Sequence, residues 1–155
     1  MDGTATETLA KSAAQRWLGD FATALACRDG ARIAALFANE CHWRDILAFT
    51  WNLHTTSSPG AIAHRMLPSL ARTAPHGLEL AKGRTPPRYI ERAGTKAIEA
   101  IFTFETVIGP CNGVVRLVSE GGAPRAWTLM TALDEIRGHE DPANVKRWQD
   151  VEWKR

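Results

Sequence analysis

Ionisable side chains stand inside one of the most apolar segments of the chain, CHWRDILAFTWNLHTT, residues 41–56. A carboxylate among apolar neighbours loses hydration and becomes a stronger base, so Asp45 is the first candidate for a catalytic base. His54 is a candidate general acid, or a hydrogen-bond partner for a substrate oxygen. The alternative for Asp45 is structural, either as an ion-pair partner of Arg44 or as a cap on a nearby turn.

Other residues in the chain suit the binding of an aromatic substrate. Tyr89 is the only tyrosine, so as a phenolic donor it is the third candidate catalytic residue. Arg116 could bind a phenolate or another anionic oxygen, although an ion pair with Glu99 or Glu105 competes with that role. Two or three aromatic side chains suffice to sandwich a planar ligand. The candidate substrate-binding residues are Phe21, Trp43, Trp51, Phe102, Arg116, Trp127 and Met130.

The signature motifs of several other chemistries are absent from the sequence. It contains no HExxH, no GxSxG, no glycine-rich phosphate loop and no GxGxxG. Its three cysteines, Cys27, Cys41 and Cys111, form no CxxC pair, which favours buried thiols over a zinc site or a disulfide framework. We therefore expect no metal and no cofactor, flavin included.

The composition is that of one globular domain. The 155 residues are 45% hydrophobic and 23% charged, and we assign residues 1–155 to one domain with a core at about 6–140 and a polar tail at 138–155. A net charge of +2 without clustered Lys or Arg argues against nucleic-acid binding. Apolar runs too short for a membrane span, and a start without a signal-peptide pattern, predict a cytoplasmic protein with no membrane partner.

Helices are predicted first and strands afterwards. Apolar spacings of three and four, and the helix-start sequence Ser57-Ser58-Pro59-Gly60, predict helices at residues 6–27, 31–37 and 59–72. Asn39-Glu40 is predicted to be a turn, and His54 is expected in the loop that leads to Ser57. The predicted strands span residues 41–46, 78–82, 88–92, 97–108, 113–118 and 125–136.

This order indicates an α+β fold in which a curved antiparallel sheet packs against three N-terminal helices. Such a sheet can leave a conical cavity at one open end, where an ionisable group on an apolar strand could act. The strand at 97–108 carries apolar residues on both faces. We therefore expect a second copy of the chain to cover the outer face, giving a homodimer.

The segments ALFANECHWRD and SPGAI, with this order of elements, resemble the NTF2-like superfamily, which includes SnoaL-like proteins, ketosteroid isomerases, scytalone dehydratases and limonene epoxide hydrolases. WRDILAFTWNLHTT, VVRLV and TLMTALDEIRGHED are more similar to the NTF2-like domain in front of some flavin-containing monooxygenases. The resemblance covers roughly residues 6–140 and implies a cone-shaped sheet. It also implies that Asp45 stands where ketosteroid isomerases keep their proton-shuttling aspartate. Phe21 stands where those isomerases have a tyrosine donor.

Two functions from different classes remain open at this point. The first is a cofactor-free enzyme in which Asp45 abstracts a proton from a hydrophobic, aromatic substrate. Missing oxyanion donors favour a lyase or dehydratase over an isomerase. The second is a non-catalytic ligand-binding or accessory module of a monooxygenase-type system. Epoxide hydrolysis would need a second aspartate, for which Asp134 is the only candidate on a strand.

Asp45→Asn separates a catalytic from a structural aspartate. If Asp45 is the base, folding should stay nearly intact while turnover falls by a factor on the order of 10² to 10⁴. If Asp45 is structural, the melting temperature should drop, because a partner is left unpaired.

Overall fold

The computed structural model describes residues 3–141, which form three helices and seven strands. The helices are α1 (Gly3–Cys27), α2 (Gly30–Ala35) and α3 (Pro59–Thr73). The strands are β1 (Phe37–Ile46), β2 (Leu53–Ser57), β3 (His76–Leu80), β4 (Arg88–Arg92), β5 (Thr95–Glu105), β6 (Pro110–Glu120) and β7 (Ala123–Leu133). Most of the tail predicted at 138–155 lies outside the described residues.

All seven strands belong to one sheet. Its order is β2-β1-β7-β6-β5-β3, and β4 pairs with the first half of β5 beside β3. The predicted α+β class, a curved sheet packed against three helices, is confirmed. The sheet is mixed rather than wholly antiparallel, because β1 and β7 run parallel. A parallel pair needs a long crossover, and here most of the chain lies between the two strands, so local sequence patterns do not reveal it.

The first half of the chain contains more strand than the sequence predicted. The second helix ends at Ala35, and Phe37 already begins β1, so the turn predicted at Asn39-Glu40 is wrong. Asn39 donates its backbone N–H to the Glu120 carboxylate at 3.1 Å, where the β1–β7 pairing contains an irregularity. His54 lies in β2 and not in a loop, because residues 53–57 pair back onto β1.

The hydrophobic core lies between the helices and one face of the sheet, which we call the inner face. Ile98, Ala100, Phe102 and Phe104 of β5 share this face, as the alternation predicted. Strand periodicity then places Glu99, Ile101, Thr103 and Glu105 on the opposite, outer face. The largest fully buried side chains of the helices are Trp17, Phe21, Ile33, Ile62, Met66 and Leu70.

Candidate functional site

Strand β1 carries Asp45 into the core. Cys41, Trp43 and Asp45 alternate with exposed His42 and Arg44, so the three odd-numbered side chains face the helices. The Asp45 side chain is 1% exposed, and it is the only charged side chain that is buried within residues 3–141. Buried carboxylates require hydrogen-bond donors, so its partners determine what it can do.

The turn after β1 folds back over the Asp45 carboxylate. The backbone N–H of Phe49 donates to both carboxylate oxygens, at 3.2 and 3.1 Å. Thr50 donates to Oδ2 from its backbone N–H and from its hydroxyl, each at 2.7 Å. Two residues of this turn, Leu47 and Trp51, have left-handed backbone conformations, with φ of 65° and 58°. The hydrogen bonds to Asp45 thus hold a turn in which two residues have energetically unfavourable backbone conformations.

Thr131 of β7 completes the hydrogen bonding of Asp45. It lies opposite Asp45 in the parallel pairing and donates its hydroxyl to Oδ1 at 2.7 Å. The same hydroxyl accepts a hydrogen bond from Trp43 Nε1 at 3.0 Å. We call Asp45, Phe49, Thr50, Thr131 and Trp43 the Asp45 network. In this network four donor groups occupy both carboxylate oxygens.

The aromatic side chains of the Asp45 network pack against further rings of the core. The Phe49 ring packs edge-on against Trp43, with 5.6 Å between ring centroids, and lies 5.7 Å from Phe104. Phe104 in turn stacks on Phe102 at 5.8 Å. Each of these four side chains is at most 3% exposed. We call this part of the core, with the Asp45 network, the closed end.

His54 lies directly opposite Asp45 in the antiparallel β1–β2 pairing, so both side chains point to the same side of the sheet. The imidazole is half-buried, and in the described part of the chain it makes no hydrogen bond. Trp51, predicted to shape a cavity, is 51% exposed on the surface of the turn. The Arg72 guanidinium lies over its ring, 5.6 Å from the centroid.

The remaining candidate residues lie in separate places. Phe21, Trp43 and Phe102 are core side chains. Arg116 and Met130 are on the outer face, where a cleft of about 390 Å³ is lined partly by their side chains. Trp127 is half-buried in β7, and Tyr89 is 51% exposed on β4. The structure therefore brings together Asp45, His54 and Trp43, and not the whole predicted set.

Arg116 forms the ion pair that the sequence suggested as its competing role. Its Nε lies 3.0 Å from Glu99 Oε2, and Arg88 Nη2 lies 3.3 Å from Oε1. Burial by itself would raise the pKa of Glu99, but the hydrogen bonds from Arg116 and Arg88 outweigh it, so this pKa is lowered. Glu99 is therefore a carboxylate with two cationic partners on the outer face.

Two further ionisable groups near the closed end have raised pKa values. Burial raises the pKa of Cys111 to about 12, although a hydrogen bond with Thr106 opposes the change. Partial desolvation of its carboxyl group also raises the pKa of Asp134, which lies just after β7 at the surface and accepts a hydrogen bond from the Asn112 side chain. Asp134 is exposed and paired with an amide, and it does not share the Asp45 network.

The sequence reasoning missed a groove at the opposite end of the sheet. A cavity of about 400 Å³ lies between α1 and strands β4 to β7, with Ala13, Tyr89 and Lys96 among its lining residues. We call it the far groove. The available signal was the single tyrosine, which stands in a short strand of mostly polar residues. Nothing in the sequence indicated that Ala13 of α1 would face it.

Residues 3–141 contain neither a cluster of metal ligands nor a membrane-spanning helix. No three His, Cys, Asp or Glu side chains in that range are grouped so that they could hold a metal ion. No helix in the same range is long and apolar enough to cross a membrane.

No family model and no curated protein sequence matches the chain. Solved structures do match. An NTF2-like protein of unknown function from Pseudomonas putida KT2440 has 13% identity and a TM-score of 0.56, covering 86% of this chain and 93% of that one. An NTF2-like protein with a cystatin-like fold from Novosphingobium aromaticivorans has 12% identity and a TM-score of 0.55, covering 83% and 84%. A protein of unknown function with a cystatin-like fold from Nostoc punctiforme has 12% identity and a TM-score of 0.56, covering 80% and 90%.

At such identities these similarities establish the fold alone. The predicted NTF2-like architecture is thereby supported, whereas the predicted link to flavin-containing monooxygenases receives no support.

Proposed function

Because the chain has the NTF2-like fold, we propose that it is a small-molecule-binding domain in which Asp45 stabilises the structure and does not abstract protons. One observation carries this proposal: four donor groups occupy the two oxygens of a carboxylate that is 1% exposed. A general base must present a free lone pair within about 3 Å of the proton that it removes. A substrate could reach Asp45 only after Phe49 and its turn had moved away.

The ligand that we propose is small and largely apolar, with an aromatic compound as the first choice. Apolar side chains line most of the far groove, and small-molecule sites are typically concave and mostly apolar. We propose no cofactor and no metal for this function. Retained binding after exhaustive treatment with a chelator supports that part of the proposal, and restoration of binding by added zinc would refute it.

The enzymatic alternative keeps one supporting observation. Asp45 and His54 occupy paired positions on β1 and β2 and face the same side of the sheet, as a base and a general acid would need to. In this alternative the enzyme is a lyase or dehydratase for an aromatic substrate, and the turn that contains Phe49 opens to admit it.

One experiment separates the two functions. The wild-type protein and Asp45→Asn are screened with aromatic alcohols and enones, following both product formation and the shift in melting temperature. Binding without turnover in the wild type supports the binding domain. Turnover that falls by a factor on the order of 10² to 10⁴ in a well-folded Asp45→Asn variant would establish the enzyme instead.

We also propose a homodimer formed through the outer face. Facing residues across the middle of this face, Ile101, Val114 and Met130, are apolar and half-buried in the single chain. Arg44 continues the same row and borders the apolar patch. Self-association through such a patch removes it from water in both copies at once.

Sedimentation at micromolar concentration tests the dimer. Met130→Glu should shift the protein to monomer, because it places a charge in the centre of the patch. Ala71→Glu, an equivalent change at an exposed position of α3, serves as the control and should leave the dimer intact. A wild-type monomer at these concentrations would end the proposal.

The cytoplasm is the location that we propose. All three cysteines are free thiols, and two of them, Cys41 and Cys111, are buried. Unpaired thiols fit a reducing compartment better than an oxidising one. Fractionation of cells that express a tagged full-length chain tests this, and recovery from an oxidising compartment would contradict it.

A further inference from the structure

The far groove lies at the end of the sheet opposite Asp45. Strand β7 runs from one site to the other. Its first residue, Ala123, lines the groove, and Thr131, the partner of Asp45, lies near its last residue, Leu133. The groove is therefore separate from the Asp45 network. Its volume of about 400 Å³ is within the usual range for small-molecule sites.

The walls of the far groove are mainly apolar. They come from three parts of the chain that are distant in sequence: α1, the start of β5, and the hairpin that joins β6 to β7. The apolar lining residues that carry the argument are Ala13, Ala97, Ile98, Leu117, Ala123 and Pro124. Such a surface favours the flat apolar body of a ligand.

Two polar side chains at this groove have no partner of their own. Lys96 forms no ion pair within the described residues, although Glu91 stands opposite it in the β4–β5 pairing. The Tyr89 hydroxyl likewise makes no hydrogen bond within residues 3–141. By contrast, Arg88 on β4 and Arg116 on β6 share the Glu99 carboxylate.

The strand register brings the two unpartnered groups to one side of the sheet. Tyr89 lies opposite Ile98, an inner-face residue, and Lys96 stands two residues before Ile98 on the same strand. Because side chains two apart in a strand share a face, the ammonium and the phenol both border the apolar wall. An unpaired cation and a phenolic donor beside an apolar wall are complementary to an anion that carries an apolar body.

We propose that the far groove binds a small aromatic carboxylate, with its ring against Ile98 and Leu117 and its carboxylate against Lys96 and Tyr89. This proposal rests on the proposed function as a small-molecule-binding domain and assigns that function a place and a ligand class. Lys96 supplies the charge that selects anions, and the Tyr89 hydroxyl supplies a second hydrogen bond to the same carboxylate.

Calorimetric titration with 2-naphthoate and with its neutral amide tests the proposal on the full chain. We expect saturable binding of naphthoate, with the amide at least about tenfold weaker because it lacks the charge that Lys96 pairs with. Lys96→Met should weaken naphthoate binding about tenfold and leave the amide unchanged. Tyr89→Phe should weaken it about threefold, since the ring stays and one hydrogen bond is lost.

Two variants control for location and for general charge. Lys82→Met removes an exposed lysine outside the groove and should leave binding unchanged. Ala13→Phe fills the groove from α1 and should abolish binding of both compounds, provided that its unfolding transition shows a folded protein.

The outcomes separate this inference from the function on which it rests. If the two compounds bind and neither Ala13→Phe nor Lys96→Met has any effect, the location is wrong while the binding function stands. Equal affinity for the carboxylate and the amide, with both lost in Ala13→Phe, would overturn the ligand class alone. If naphthoate, the amide and a set of neutral aromatic compounds all fail to bind, the proposed function itself fails with the inference.

Discussion

The closed end and the far groove face the same core from opposite ends of one sheet, yet their polar groups differ completely. At the closed end, the Asp45 carboxylate is buried and accepts hydrogen bonds from Phe49, Thr50 and Thr131. At the far groove, Lys96 and Tyr89 have no partner within the described residues and border an open cavity. We therefore propose a ligand-binding role for Lys96 and Tyr89 and a structural role for Asp45, because buried polar groups need partners and those of Asp45 are already within the protein.

This contrast changes how the charged residues in CHWRDILAFTWNLHTT are interpreted. The pattern indicated a base in an apolar cavity wall, whereas the structure shows a buried carboxylate that holds the turn after β1. Leu47 and Trp51 adopt left-handed conformations in that turn, and hydrogen bonds to Asp45 offset their cost. The alternative role of a cap on a nearby turn, raised for Asp45 from the sequence, describes the observed contacts well.

The largest difference should appear in thiol reactivity. Cys111 borders the closed end, opposite Phe104 on the neighbouring strand, and its pKa is raised to about 12, whereas Cys27 is exposed. At pH 8 a thiol with that pKa holds on the order of 10³ times less thiolate than an unperturbed one. Alkylation followed by mass spectrometry should therefore modify Cys27 and leave Cys111 unmodified. Rapid modification of Cys111 in the folded protein would show that the closed end is open.

The raised pKa of Cys111 also makes the stability of the folded protein depend on pH, in a direction that can be predicted. Because its folded pKa lies above the unfolded value of about 8.5, Cys111 contributes stability that is fully present below that value. This contribution is lost as the pH rises towards 12. Cys111→Ser should reduce the loss of stability above about pH 9, which denaturant unfolding at several pH values can measure.

Truncating one aromatic side chain at each end should cost the protein more unfolding free energy at the closed end than at the far groove. Trp43→Ala removes a fully buried ring and its hydrogen bond to Thr131, which should cost about 3–5 kcal/mol of unfolding free energy. Tyr89→Ala at the far groove should cost less than about 1 kcal/mol, since that side chain is half exposed. Urea unfolding measures both, and similar losses for the two variants would contradict the contrast.

A substitution at Thr131 tests the hydrogen bonds that reach the Asp45 carboxylate from β7. Thr131→Val keeps the shape but leaves Trp43 Nε1 and one Asp45 oxygen without this partner, at an expected cost of about 1–3 kcal/mol. Thr128→Val is the matched control on the same strand, because the Thr128 hydroxyl has no hydrogen bond in the described residues. Equal stabilities of the two variants would argue against the network.

The smallest effect is expected on the outer face. The pKa of Glu99 is lowered by its pairing with Arg116 and Arg88. This pairing therefore stabilises the fold at pH values above about 4.3, the pKa of an unfolded Glu, and the stabilisation is lost as the pH falls through the folded pKa. Glu99→Gln should cost about 0.5–1 kcal/mol at pH 7 and nothing at pH 3. Unfolding at both pH values measures this, and an equal cost at both would show that the charge is not involved.

Local patterns predicted much of this fold. The strand at Arg88–Arg92, the helix that begins at Pro59 and the faces of β5 all follow from residue spacing and from proline and glycine signals. Longer-range features did not follow. The pairing of β1 with β7 joins distant segments, with Asp45 and Thr131 separated by 86 positions, and the Asp45–Thr131 hydrogen bond depends on it. For the same reason the sequence could name Asp45 but not its donors.

The candidate site was predictable only in part. Trp43 and Asp45 share one face of β1, as the predicted strand implied. His54 joins them only through the β1–β2 pairing, which the sequence analysis missed because it placed His54 in a loop. Arg116 and Met130 fell on the other side of the sheet, because the face of each strand depends on where its pairing starts. The far groove depends on the packing of α1 over β4 to β7, which no local pattern encodes.

The free energy of unfolding of Asp45→Asn tests the central claim most directly. An amide offers one acceptor oxygen in place of two, and its NH₂ group would face donors from Phe49 and Thr50 or from Thr131. We therefore predict a loss of about 2–4 kcal/mol in denaturant unfolding, while Asp20→Asn on the exposed side of α1 stays within about 0.5 kcal/mol of the wild type. An Asp45→Asn variant as stable as the wild type would contradict the structural role of Asp45 and restore it as a candidate base.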